Sequence, residues 1–397
     1  MNGDEQLRTW FDGLQQRALW TGMAALGLCL AGAFVGREQF FRSYLVGYLL
    51  WLGVALGAMA FLMLHHLAGG RWGFAIRRLL EAAAGTLPLL AILFVPLLFG
   101  IKDLYSWARP EVVAGDPYLE HKAAYLNVPF FVARAAIYFG IWILLGTLLN
   151  RWSEEQDRTA DPGVLRRLQI LGAPGLGLYA LTVSLAAVDW AMSLEPHWFS
   201  TIYGMLFMVG QVLAALAFVT LVAARLVKHG ALADVAGAQP FHDLGTLLFA
   251  FVMIWAYISF SQFLIIWSGN IPEEIPWYIS RMGGGWQAIA VALVVFHFAL
   301  PFLLLLSRDI KRNPGRLAAV AAVIFALRLL DLFWVIAPAF HGTVLRVHWL
   351  DLVAPVGIGG VWLAAFVSIL KSRPLVPLHD PRLETEMAAE HSKGFAG

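Results

Sequence analysis

Tyr44–Leu64 reads YLVGYLLWLGVALGAMAFLML, twenty-one residues without a single charge. At 1.5 Å rise per residue such a helix crosses a hydrocarbon core of about 30 Å, and it is apolar all round rather than along one stripe. A helix of that kind belongs in lipid. Comparable runs surround it at roughly 15–35, 42–66, 79–100, 127–149, 168–190, 200–225, 243–267, 285–307, 317–338 and 348–370. The sequence therefore predicts an all-α polytopic membrane protein of about ten transmembrane helices. Residues 1–14 precede a transmembrane domain over 15–370, with runs two to five and six to nine as two four-helix bundles flanked by the first and tenth. Residues 371–397 are polar, contain proline and are rich in Glu and Ala, which predicts a tail that orders only against a partner.

Composition supports this reading and narrows the chemistry. Of 397 residues 60% are hydrophobic and 14% charged, and mean hydropathy is +0.71, against about a quarter charged in soluble domains. The 16 Trp and 27 Phe suit helices that anchor at lipid interfaces. Cys29 is the only cysteine, so the chain forms no internal disulfide and no Cys-based cluster or zinc finger. The net charge of +2 says little about partners, and nucleic acid is not expected among them. Acidic Asp4, Glu5 and Asp12 precede the first run where a cleaved signal would carry a basic segment, so the run is expected to stay as a span.

Orientation follows from the cations. Of the 28 Lys and Arg, 19 fall on the side of the N-terminus and 7 opposite, with Arg134 and Arg328 inside runs. The positive-inside rule then places both termini in the cytoplasm and the loops near 101–126, 190–199, 268–284 and 339–347 outside. Pro88, Pro96, Pro174 and Pro301 lie within runs and predict kinks. The spacings Gly32 to Gly36 and Gly53 to Gly57 permit close helix contact.

An ionisable group at mid-bilayer costs about 2.5–3.5 kcal/mol on insertion scales, so each one invites a functional question. Arg328 and Asp331 stand three residues apart on one helix face. They read either as a structural ion pair or as a proton-exchanging acid tuned by its neighbour. His297, near the centre of the eighth run, is a satisfied core histidine, a proton carrier or a quinone-carbonyl partner. His65 and His66 point about 100° apart, so both cannot face one ligand, and one is expected to face the headgroups. Bis-histidine haem would need a second facing axial ligand, which His297 lacks by sequence. Arg134 either snorkels or meets a carboxylate such as Asp189. Gln211 and Gln262 read as helix-joining hydrogen-bonders.

Between the fifth and sixth runs lies Val188-Asp189-Trp190-Ala191-Met192-Ser193-Leu194-Glu195-Pro196-His197-Trp198-Phe199-Ser200-Thr201-Ile202-Tyr203-Gly204, with no Lys or Arg. Asp189, Glu195 and His197 in so short a turn predict a compact titratable cluster suited to proton release or subunit docking, beside the plain alternative of an interfacial turn with belt tryptophans.

Asp-Trp-x-Met-Ser-Leu-Glu-Pro-His-Trp-Phe-Ser-Thr-x-Tyr-Gly resembles the signature turn of the multi-helix subunits of alternative complex III, of the NrfD/PsrC-type superfamily. Length, ten spans and Arg-rich cytoplasmic turns are similar to the smaller of that complex's two such subunits. The resemblance implies a bacterial inner-membrane quinol:electron-acceptor oxidoreductase, with quinol or quinone as possible substrate. Its iron-sulfur clusters and haem c would sit on a periplasmic iron-sulfur subunit and multihaem cytochrome c subunits, beside a larger NrfD-type subunit. This chain would bind no metal and have no activity alone. Asp189, Glu195 and His197 would handle protons at the outer face, with His65 or His66 and Arg328 with Asp331 on the inner path. A secondary transporter and a haem b carrier are the alternatives.

Overall fold

The computed structural model describes residues 3–232, 235–380 and 382–383. Eleven helices build the frame: α1 (Gly3–Val35), α2 (Arg37–Ala68), α3 (Arg71–Ala84), α4 (Leu87–Phe99), α5 (Val128–Thr159), α6 (Pro162–Trp190), α7 (Tyr203–Lys228), α8 (Ala238–Gly269), α9 (Trp286–Leu306), α10 (Pro314–Ile336) and α11 (Leu350–Leu370). Among the described residues nine long helices are apolar enough to cross a membrane, and α3 with α4, bent by 40° at the break between them, brings the number to ten if the pair is one span. The chain is an all-α, multi-pass membrane protein. In lipid, intrahelical pairing satisfies each helix's backbone without water.

The helix bounds depart from the hydropathy runs in two informative places. α1 starts within the expected N-terminal segment, because Leu7, Trp10, Phe11 and Leu14 continue an apolar stripe that packs on the core. The third crossing begins eight residues before its expected start and breaks at Gly85–Thr86, with Pro88 in the first turn of α4, where a missing N–H costs no helical bond. α9 is widened into a π-helix over Leu293–Ala299. Pro301 follows it, and the N–H it lacks would have bonded the His297 carbonyl in a regular α-helix. Pro174 sits inside an unbroken α6.

α2 and α7 form the spine. α2 packs on α3, α4, α6 and α7, α5 closes the first bundle against α4 and α6, and α7 to α10 form the second. α1 lies along α11, and both pack on α2. Close approach explains the glycines: a methyl group on Gly57 would overlap the Gln211 backbone in α7, and one on Gly360 would overlap Gly22. The start of α1 and the end of α11 lie on one face, where Lys371 pairs with Asp12 at 2.6 Å.

The tail departs from expectation. Residues 371–380 fold back onto the chain itself, so no partner is needed to order them, whereas 384–397 lie outside the described residues. The physical reason is ionic: Asp380 is buried against Arg77, and the Leu378 N–H donates to Asp157 at 2.9 Å.

Candidate functional site

The second bundle holds a column of polar groups along α10. Arg328 and Asp331 form the expected i, i+3 ion pair, both buried. Trp255 of α8 donates its indole N–H to Asp331 Oδ2 at 3.3 Å. His297 packs edge-on against the same indole, with ring centres 4.5 Å apart, placing it beside the pair. Gly210 of α7 makes room for the guanidinium, since a methyl group there would overlap it. Neither His297 ring nitrogen nor Arg328 Nε has a hydrogen-bond partner within the protein. Unfilled hydrogen-bonding capacity thus lies beside the buried carboxylate.

One helical turn further on, the Val335 carbonyl accepts from Arg281 Nη2 at 2.7 Å. That guanidinium also pairs with Glu195 Oε2 at 2.7 Å, lies 3.7 Å from the Trp277 ring centre and is fully buried. Glu195 keeps 26% of its side chain exposed. The column thus runs from Arg328 and Asp331 in the interior, through Arg281, to a carboxylate with one edge at the surface.

Asp189 goes the other way, into the first bundle. Arg134 grips it with a two-pronged fork, Nε to Oδ2 and Nη2 to Oδ1 both at 2.8 Å, and Tyr138 donates its hydroxyl to Oδ2 at 2.9 Å. Arg134 does not snorkel. Its Nη1 donates to the Tyr125 carbonyl, and the Tyr125 and Phe130 rings cover its guanidinium.

His197 stands apart from both. Its side chain is 62% exposed, stacks on Tyr118 and bonds Asp116 at 2.7 Å. Burial would push the Asp116 carboxyl up, but bonds from His197 and from the Tyr118 and Leu119 amides hold it below the usual range. The single titratable cluster expected at this turn is therefore corrected: the chain sends Asp189 inward, Glu195 to the second bundle and His197 to the surface. Side chains six and two residues apart diverge here because a short 3-10 turn over Met192–Leu194 and Pro196 break the helical register.

His65 and His66 are a second correction. Neither faces the headgroups; both are fully buried, with ring centres 5.7 Å apart and all four nitrogens without a partner. Trp72 and Phe74 of the following helix pack on His65 and enclose it. Beside them lies a network that sequence reading missed. Arg77 donates to Glu81 (2.8 Å), Asp380 (2.7 Å) and Gln156 (2.7 Å), and Arg78 pairs with Glu81 and Asp157. Ser153 bonds Glu81 at 2.6 Å, and Arg382 reaches the His65 and His66 carbonyls at 3.5 and 3.4 Å. The 77, 78, 81 spacing within an amphipathic turn was the available signal, but hydropathy placed Arg77 and Arg78 in a loop. Gln211 accepts from Tyr179 at 2.9 Å, in keeping with a helix-joining role.

Among the described residues no three His, Cys, Asp or Glu side chains come close enough to hold a metal ion. The chain matches no protein-family model, and a search of curated proteins finds no significant relative. Fold and site together define the class: a multi-pass helical membrane protein with ionisable groups buried between its spans.

Proposed function

We propose that this chain is a membrane subunit of a bacterial quinol:electron-acceptor oxidoreductase of the alternative complex III type, contributing to assembly and to proton conduction in a respiratory or photosynthetic chain. The observation that carries the reading is the α10 column, in which Asp331 sits beside unpartnered His297 and continues through Arg281 to Glu195. Buried acids and histidines in series are how membrane proteins move protons. The 188–204 turn, which the resemblance rests on, supplies the column's surface carboxylate. In this reading the termini are cytoplasmic in the inner membrane, by the cation asymmetry. Quinol is oxidised in the assembled complex, and the larger NrfD-type, iron-sulfur and multihaem c subunits carry the redox groups.

A transporter with paired broken helices is less well supported. The bent α3–α4 crossing is the second member of the first bundle, and its counterpart in the second, α8, runs unbroken over Ala238–Gly269.

Gentle extraction from native membranes is expected to retain iron-sulfur and multihaem c subunits with this chain. In that complex Asp331→Asn and Glu195→Gln should each lower proton release per quinol oxidised. Recovery of the chain alone would remove the oxidoreductase reading, and unchanged proton release in both variants would remove the conducting role.

A further inference from the structure

The first bundle holds a pair of imidazoles that the α10 column does not use. His65 and His66 at the end of α2 are fully buried, and none of their ring nitrogens finds a partner among the described residues. Each nitrogen of an imidazole donates or accepts, so four hydrogen-bonding positions stand empty at a cost that contact with water would relieve. The closed structure leaves this pair unsatisfied.

What shuts the pair off is the start of the tail. Asp380 seals against Arg77 at 2.7 Å, and Arg382 passes 6.0 Å from the Phe74 ring centre to reach the His65 and His66 carbonyls. Phe74 in turn packs edge-on against His65, ring centres 5.4 Å apart. The covering segment is lightly held: of residues 371–380 only Pro377 and Asp380 are buried, and His379 sits in left-handed backbone at φ +55°. A non-glycine residue keeps that conformation only while its surroundings impose it. Segments with so little buried surface open locally before the fold does.

The core beneath keeps its own partners when the segment lifts. Without Asp380, Arg77 retains Glu81, Ser153 and Gln156; without the Leu378 N–H, Asp157 retains Arg78. Asn150, which accepts from Arg373, still donates to the Glu81 and Gly146 carbonyls. Opening strands no buried charge, the event that makes breaking an ordinary buried pair costly.

We propose that residues 373–380 with Arg382 form a strap that gates water to His65 and His66. Shut, it keeps the pair dry; lifted, it lets water hydrate the imidazoles and exchange protons with them. The strap is independent of the redox reading and holds for any partner set.

The test is histidine modification by diethylpyrocarbonate near neutral pH in the native membrane assembly, read residue by residue by peptide mass spectrometry. Exposed His379 and buried His297 are the internal references. In the unaltered protein His65 and His66 are expected to react far more slowly than His379. Asp380→Asn and Arg382→Ala should each speed them about tenfold, the size of one charge-assisted contact, while Asp380→Glu keeps them slow and His297 stays unreactive in all three. Either of the first two variants serves if the other does not assemble. Reaction of His65 and His66 as fast as His379 in the unaltered protein, or protection unchanged in both variants, would overturn the strap. A rise at His297 in step with theirs would also overturn it, by showing that the whole fold had loosened.

Discussion

The two bundles each bury an arginine with a carboxylate, and they treat the pair differently. In the first, Arg134 and Asp189 are saturated: both prongs of the fork are filled, Tyr138 adds a third bond, and Asp189 is wholly enclosed. In the second, the Arg328–Asp331 contact is single-pronged, with Arg328 Nε and both His297 nitrogens unfilled and a further charged pair leading outward. A saturated pair has nowhere to send a proton, and its loss leaves a bare charge. An unsaturated one costs more to keep and can exchange. The contrast lies in hydrogen-bond accounting rather than in residue type, and it is the second pair that keeps the capacity the proposed proton path needs.

That contrast can be broken by substitution. The largest effect is expected at the clamp: Asp189→Ala leaves Arg134 buried and unpaired, which should cost about 3–5 kcal/mol and show as a large fall in thermal stability in detergent or loss of the folded chain. If Asp189→Ala were stable and instead stopped proton release, the roles of the two bundles would have to be exchanged.

A smaller effect is expected where the tail is fastened. Burial would raise the Asp380 carboxyl, but the Arg382 hydrogen bond and the Arg77 charge outweigh it and hold it below the usual range. A depressed folded value means the contribution is fully present above about pH 4 and is lost as pH falls through that lower value. Limited proteolysis should therefore leave residues 371–380 protected at pH 5 and cut them progressively under stronger acid, while Asp380→Asn should make them sensitive at neutral pH. Cleavage that does not change with pH would mean that apolar packing of Leu375 and Val376 holds the segment instead.

The smallest stability change is expected at His297. Its ring makes no hydrogen bond within the protein, so His297→Phe should keep the edge-on contact with Trp255 and shift thermal unfolding little, while lowering proton release in the assembled complex. Intact proton release would reduce His297 to a packing residue and leave Asp331 alone at the inner end of the column.

Much of the fold was legible because lipid imposes a simple code. Charge-free runs such as Tyr44–Leu64 mark spans, and Arg328 with Asp331 could be paired by the helical repeat alone. The bent third crossing was less legible, since Arg77 and Arg78 fall before the hydropathy run and look like loop residues until their partners are known. Arg281 reaches Glu195 across 86 positions, and Arg77 reaches Asp380 across 303. No local pattern encodes such contacts.

Sequence by itself determined that this chain spans a membrane with helices, about how many times, and which few charges lie between them, because burying a charge or an open backbone in hydrocarbon is too costly to occur without pattern. Tertiary structure alone decided that Asp189 and Glu195, six residues apart, serve different bundles, that His65 and His66 are enclosed, and that the start of the tail seals against Arg77. Those outcomes depend on which distant groups fill each hydrogen bond, and that is settled only when the helices pack.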